Sequence, residues 1–183
     1  IVIIISLFFL VVLIFCVFIN ALRTVQVKKP AIYLYPEKDS IINVKLDVNG
    51  KIIEDIPEYD DGWEVYVTKK GLIENKYDYL FYEVKLNKLN LPEEGWIVKY
   101  DKLDSWFDIN LKELGMNKKE IMQFKEYWLN YLPESNYYQI KLLSDEFLKQ
   151  NMNLEIVPEP DTIIRLNFHF KPVEEKIYLK EPE

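Results

Sequence analysis

The chain has 183 residues with 30 acidic and 23 basic side chains, a net charge of −7; setting aside Arg23, Lys28 and Lys29 leaves 20 basic against 30 acidic residues from position 30 onward. That field repels phosphates, and its basic groups come only in short pairs such as Lys69-Lys70 and Lys118-Lys119, which argues against a nucleic-acid partner. One histidine and one cysteine exclude an intrachain disulfide and would leave a zinc site to be built almost wholly from carboxylates, so neither metal nor cofactor is expected.

Residues 1–19 carry no charge and one polar side chain, Ser6. As a helix, this run is about as long as a bilayer's hydrocarbon core is thick. A transmembrane helix over residues 1–22 is predicted, with a tether at 23–29 and the lipid bilayer as partner of residues 1–19. A cleaved signal peptide fits less well, because Ile19-Asn20-Ala21 lacks the small first residue of a cleavage site. Cys16 follows Phe15, where a lipidated cysteine needs a small neighbour. The basic flank of Arg23, Lys28 and Lys29 by itself points to the cytoplasmic side, although that rule weighs both flanks.

Residues 30–172 read as one domain, with a Glu/Lys/Pro-rich end at 173–183 that is expected to fray. From 31 to 100 the pattern has period two. Val44, Leu46 and Val48 alternate with polar residues, as do Trp63, Val65 and Val67, which predicts half-buried strands. Asn49-Gly50 between two β-rich runs predicts a type I′ hairpin turn. Further strands are expected at 77–84 and 96–100.

The period then becomes helical. Ser105 and Asp108 suggest a helix start, Phe107, Leu111 and Leu114 share a face, and Gly115 offers a left-handed C-cap. Asn117 and Glu120 form a capping pair for a second helix whose stripe is Ile121, Phe124, Trp128 and Leu132, ending before Pro133. The short link between them predicts an αα-hairpin that covers a sheet face. Strand signals return at 137–143, a short helix at 144–150, and strands at Leu154 and Ile156 and at 162–170. In the last, Ile164, Leu166, Phe168 and Phe170 lie opposite Arg165, Asn167 and His169. The fold class is therefore α+β: an N-terminal transmembrane helix, then a mainly antiparallel β domain with an inserted αα-hairpin.

Four blocks carry a resemblance: Lys29-Pro30-Ala31-Ile32-Tyr33-Leu34-Tyr35-Pro36; Tyr79-Leu80-Phe81-Tyr82-Glu83; Leu114-Gly115-Met116-Asn117-Lys118-Lys119-Glu120 with Tyr127-Trp128-Leu129; and Pro160-Asp161-Thr162-Ile163-Ile164-Arg165. Together they resemble a widespread bacterial family of uncharacterised proteins that begin with a signal peptide, lipoprotein signal or membrane anchor. The resemblance implies a membrane-associated, extracytoplasmic domain and no known reaction. The chain departs from that pattern at Asn130, where the family carries proline, and Pro133 comes later, so a longer second helix is expected.

No Gly-x-Ser-x-Gly elbow and no phosphate-binding glycine loop occurs, and His169 reads as a strand residue. Carboxylates are the only plentiful groups for acid/base chemistry, and Glu83, Glu126 and Asp161 are the candidate catalytic residues if the chain is an enzyme. Arg165, four residues after Asp161, could pair with an acid, and a structural ion pair explains it equally. Tyr33, Tyr35, Tyr77 and Tyr79 with Glu83 and Arg165 form the candidate ligand-binding set, suited to stacking on a sugar or peptide. The leading reading is a binding or interaction module at the cell envelope, with a glycan or protein partner. A carboxylate-dependent cell-envelope hydrolase is the alternative, for which the three acids would have to converge.

Overall fold

In the computed structural model, which describes residues 25–182, the first sheet is built around β6 (Leu80–Leu86). Leu80, Tyr82, Val84 and Leu86 alternate along it and are buried on one face, as period two dictates. β4 (Gly50–Ile56) pairs along one side of β6, and β1 (Val25–Val27) and β2 (Ala31–Ile32) pair in succession along the other. A second sheet has the order β5 (Trp63–Val67), β3 (Ser40–Val48), β9 (Met152–Val157). Both β3 and β5 bury every other residue, Ile42, Val44 and Leu46 on one and Trp63, Val65 and Val67 on the other. With α3 (Asp145–Asn151), which Ser144 caps at Phe147 N–H, these two sheets enclose the first core. All strand pairings are antiparallel.

The third sheet, β10 (Phe168–Val173), β8 (Tyr137–Leu142), β7 (Trp96–Lys99), carries the helical hairpin. α1 (Leu103–Glu113) and α2 (Lys118–Tyr131) pack on it through Phe107, Leu111, Ile121 and Trp128, which with Tyr138 and Ile140 make a second core. Between the helices, Gly115 holds φ +100°, and Gly115 N–H and Met116 N–H donate to the carbonyls of Lys112 and Leu111, a Schellman ending that needs the left-handed residue. The Asn117 side chain accepts from Lys119 and Glu120 N–H while Glu120 accepts from Asn117 N–H, so the expected capping box is formed.

The α+β class with antiparallel sheets and the inserted αα-hairpin holds in these residues. Among them, no helix is long and apolar enough to cross a membrane, and the expected span at residues 1–19 lies outside the described residues.

Several local expectations change. Asn49-Gly50 is not a hairpin turn: β3 and β4 belong to different sheets, and neither residue has positive φ. It is a corner instead, where Asn49 N–H donates to Asn151 O and its carbonyl accepts from Asn87 N–H. Glycine is needed there because a Cβ on Gly50 would lie 2.1 Å from the Lys85 carbonyl oxygen. α1 starts at Leu103, two residues before the expected Ser105, whose hydroxyl donates to the Lys102 carbonyl instead of capping. Residues 162–167 form no strand; β10 begins at Phe168, and Ile164 packs at Gly115. β1 takes in part of the expected tether, and past Val173 the chain returns to the residue before β7, where Gly95 N–H donates to Lys180 O.

Candidate binding cleft

α2 carries two stripes. Ile121, Phe124, Trp128 and Leu132 enter the second core, whereas Glu120, Gln123, Tyr127 and Tyr131, at the same helical spacing but turned to the neighbouring face, meet the segment from Lys28 to Tyr35 that contains β2. The opposing face of β6 begins before the strand itself: Tyr79, Phe81 and Glu83 alternate with the core residues. Period two on β6 and the second stripe on α2 thus create a seam of polar and aromatic groups between the two cores.

The seam is closed at one end by hydrogen bonds. Tyr35 Oη donates to Glu120 Oε1 at 2.7 Å while accepting from Asn117 Nδ2 at 3.0 Å, and Tyr33 Oη donates to Gln123 Oε1 at 2.8 Å. Gln123 Nε2 and Lys119 Nζ both donate to Asp78. The Lys119 hydrogen bond holds the Asp78 carboxyl below the usual range. Burial pushes the Tyr33 phenol up, and burial followed by the bond to Glu120 raises Tyr35 to about 12.

At the other end the seam opens into a cleft of about 530 Å³. Three rings line it, Tyr79, Tyr127 and Tyr131, the last two stacked at 5.5 Å and 11°. Gln123, Asn130, Glu126 and Lys29 supply the polar groups. Lys29 Nζ donates to Tyr79 Oη at 2.7 Å and lies 4.6 Å from the Tyr79 ring centre and 5.2 Å from those of Phe81 and Tyr127. Its backbone is in the left-handed region at φ +57°, which costs a residue with a Cβ about 1–2 kcal/mol. Pro30 follows and favours extended backbone at its predecessor. The Tyr79 hydrogen bond and the Phe81 and Tyr127 ring contacts, at about 0.5–1 kcal/mol each, are of the size needed to hold it there. Lys28 adds a similar contact, 4.8 Å from the Tyr131 ring centre.

Glu83 is only 4 % exposed and accepts from Gln26 Nε2 at 2.7 Å. It sits beside Tyr127, whose phenol is raised to about 12 by burial and then by the Glu83 charge. Of the expected binding set, Tyr33, Tyr35, Tyr79 and Glu83 therefore share one seam. Tyr77 packs on the first core, its hydroxyl bonded by Lys76, and Arg165 donates to the Met152 carbonyl at 2.6 Å beside Tyr82. Among the described residues Arg165 forms no ion pair. Of the expected acids, Glu126 is exposed in the cleft, Glu83 is buried and engaged, and Asp161 is exposed on the loop between β9 and β10 rather than at a strand start. Lys29, Gln123, Tyr127, Asn130 and Tyr131 were not in the sequence-derived set; the stripe at 120, 123, 127 and 131 is the signal that could have found Gln123, Tyr127 and Tyr131, and it reaches neither Lys29 nor Asn130.

No protein-family profile matches the chain, and no solved structure matches it. The chain is similar to a protein of Butyrivibrio fibrisolvens described as "Uncharacterized protein in bglA 3'region", with 48% identity over 61 residues. The match covers 30% of this chain and 64% of that relative.

Proposed function

We propose that the chain is a binding module of the cell envelope, held at the membrane by residues 1–19 with its folded domain outside the cytoplasm, and that the cleft between α2 and β6 is its binding site. One observation carries this reading: three segments distant in sequence, around Lys29, Tyr79 and Tyr127, deliver rings, amides, a carboxylate and a cation to a single open cleft. Its volume lies within the range of small-ligand sites, about 300–1,000 Å³. Stacked tyrosines offer flat apolar faces with polar edges, and the amides and Glu126 can hold hydroxyl groups, a combination suited to a segment of envelope glycan. A glycosidase-like hydrolase would need two carboxylates facing one gap. Of the three acids only Glu126 lines the cleft, and Glu83 is buried against Gln26, which favours binding over hydrolysis.

Titrating the detergent-solubilised chain with envelope glycan fragments tests the site. Binding that weakens about tenfold in Tyr127→Ala and Tyr131→Ala, without release of shorter fragments, is expected. Binding unchanged in both variants, or steady fragment release, refutes the reading. Reporters active only inside or only outside the cytoplasm, fused to the C-terminus, test the placement: an inside signal removes the envelope ligand.

A further inference from the structure

The chain's own Lys29 lines the cleft and sets its ammonium group among aromatic side chains. The rings of Phe81 and Tyr127 each lie 5.2 Å from Nζ, a distance at which an aromatic face attracts a cation, while Tyr79 meets it through its oxygen. Tyr79 Oη accepts one N–H at 2.7 Å, which suits a primary ammonium and would be wasted on a quaternary one. Glu126 in the same cleft and Glu83 beside Tyr127 add negative charge, and the acidic surface beyond would oppose a phosphate or carboxylate ligand.

Among the described residues no carboxylate forms an ion pair with Lys29, so its removal breaks one hydrogen bond and ring contacts only. Its left-handed backbone ahead of Pro30 would relax on release. The cleft is open beside it, which gives a ligand a way in.

Resting on the binding reading above, we propose that the group recognised in this cleft is a primary ammonium of the ligand, and that Lys29 is its intramolecular stand-in, displaced when the ligand binds. A ligand competing with a tethered occupant binds with an affinity reduced by the fraction of molecules in which the cage is free. Removing the occupant should therefore tighten binding.

The test uses the full chain in detergent, read by the side-chain amide resonances of Gln123 and Asn130, with glucosamine, Nα-acetyl-lysine amide and the neutral N-acetylglucosamine as probes. Either amine should shift these resonances in Lys29→Ala at about one tenth of the concentration needed in the unsubstituted chain, while N-acetylglucosamine should not gain. Whichever amine acts at the lower concentration distinguishes an amino-sugar source from a peptide one. Lys29→Met, whose unbranched apolar side chain refills the cage, should return the response to the unsubstituted level or below. Equal midpoints in Lys29→Ala and the unsubstituted chain, an equal gain for N-acetylglucosamine, or a Met variant that titrates like Ala would each overturn the proposal. If N-acetylglucosamine alone binds, the ammonium proposal falls and the binding reading stands; if none of the three moves either resonance in any of the proteins, both fall.

Discussion

Replacing Glu120 with alanine should loosen the start of α2 from the segment that follows β2. Glu120 is 9 % exposed, and its two oxygens serve different partners: Oε2 accepts from Asn117 N–H at 2.7 Å and Oε1 from Tyr35 Oη at 2.7 Å. Hydrogen bonds to a charged group are worth about 1.5–3 kcal/mol each. Tyr35 is 55% exposed and water can replace its lost partner, so the lower end applies and the pair should cost about 3 kcal/mol. Glu120→Gln keeps one acceptor, and glutamine still serves in a capping box, so its loss should be about half that. Urea unfolding in detergent, followed by fluorescence of the buried Trp63 and Trp128, would report both as a lower midpoint at unchanged slope. The double variant with Tyr35→Phe isolates the tertiary share: the phenylalanine change should cost about 1.5 kcal/mol alone and only about 0.5 kcal/mol once Glu120 is alanine, when the exposed bond from Asn117 Nδ2 is all that is left to lose. A Glu120→Ala cost below about 0.5 kcal/mol, or full additivity with Tyr35→Phe, would refute the idea that one carboxylate both caps the helix and fastens it to the segment after β2.

Phe107, fully buried against Phe124 and Phe170, should cost about 3–5 kcal/mol on truncation to alanine, measured by the same unfolding. Gly50→Ala should destabilise by about 2 kcal/mol or more, since its Cβ meets backbone rather than a movable side chain; a change under about 0.5 kcal/mol would mean that the β3–β4 corner yields freely. Stability should also fall at alkaline pH. Tyr35 and Tyr127 are raised to about 12 in the folded chain against 10.0 ordinarily, so the folded state holds these protons more tightly and their contribution, complete below about pH 10, is lost as pH rises towards 12. Tyr127→Phe should flatten part of that decline in urea midpoint, and an identical decline in the variant would count against it. Asp78 acts in the opposite sense: its lowered carboxyl contributes above about pH 4 and the contribution is lost as pH falls further.

Most of the elements were legible because their signals are local. Caps, the Schellman glycine and period-two burial depend on residues within one turn or one strand, and Asn117 with Glu120, Gly115, and the alternation on β3 and β5 appear as read. Pairing was not legible, because a strand's partner is chosen across the fold. Asn49-Gly50 has the residues of a hairpin turn, yet β3 is taken by β5 and β9 and β4 by β6, so the pair becomes a corner whose glycine answers to the Lys85 carbonyl. The alternation from Thr162 to Asn167 records a chain suited to extension, but no strand lies beside it until Phe168 meets Leu142.

The sequence alone determined the class of fold and the helical hairpin and marked Tyr33, Tyr35, Tyr79 and Glu83 as candidates, since residue type and spacing set which faces can be buried and which groups can stack or bond. Only the tertiary structure decided that these residues lie against α2, that Arg165 serves a backbone carbonyl and Asp161 stands apart, and that Lys29 fills the ring cage. Each of those outcomes depends on the approach of elements remote in the chain, and proximity between remote segments leaves no periodic trace in either one.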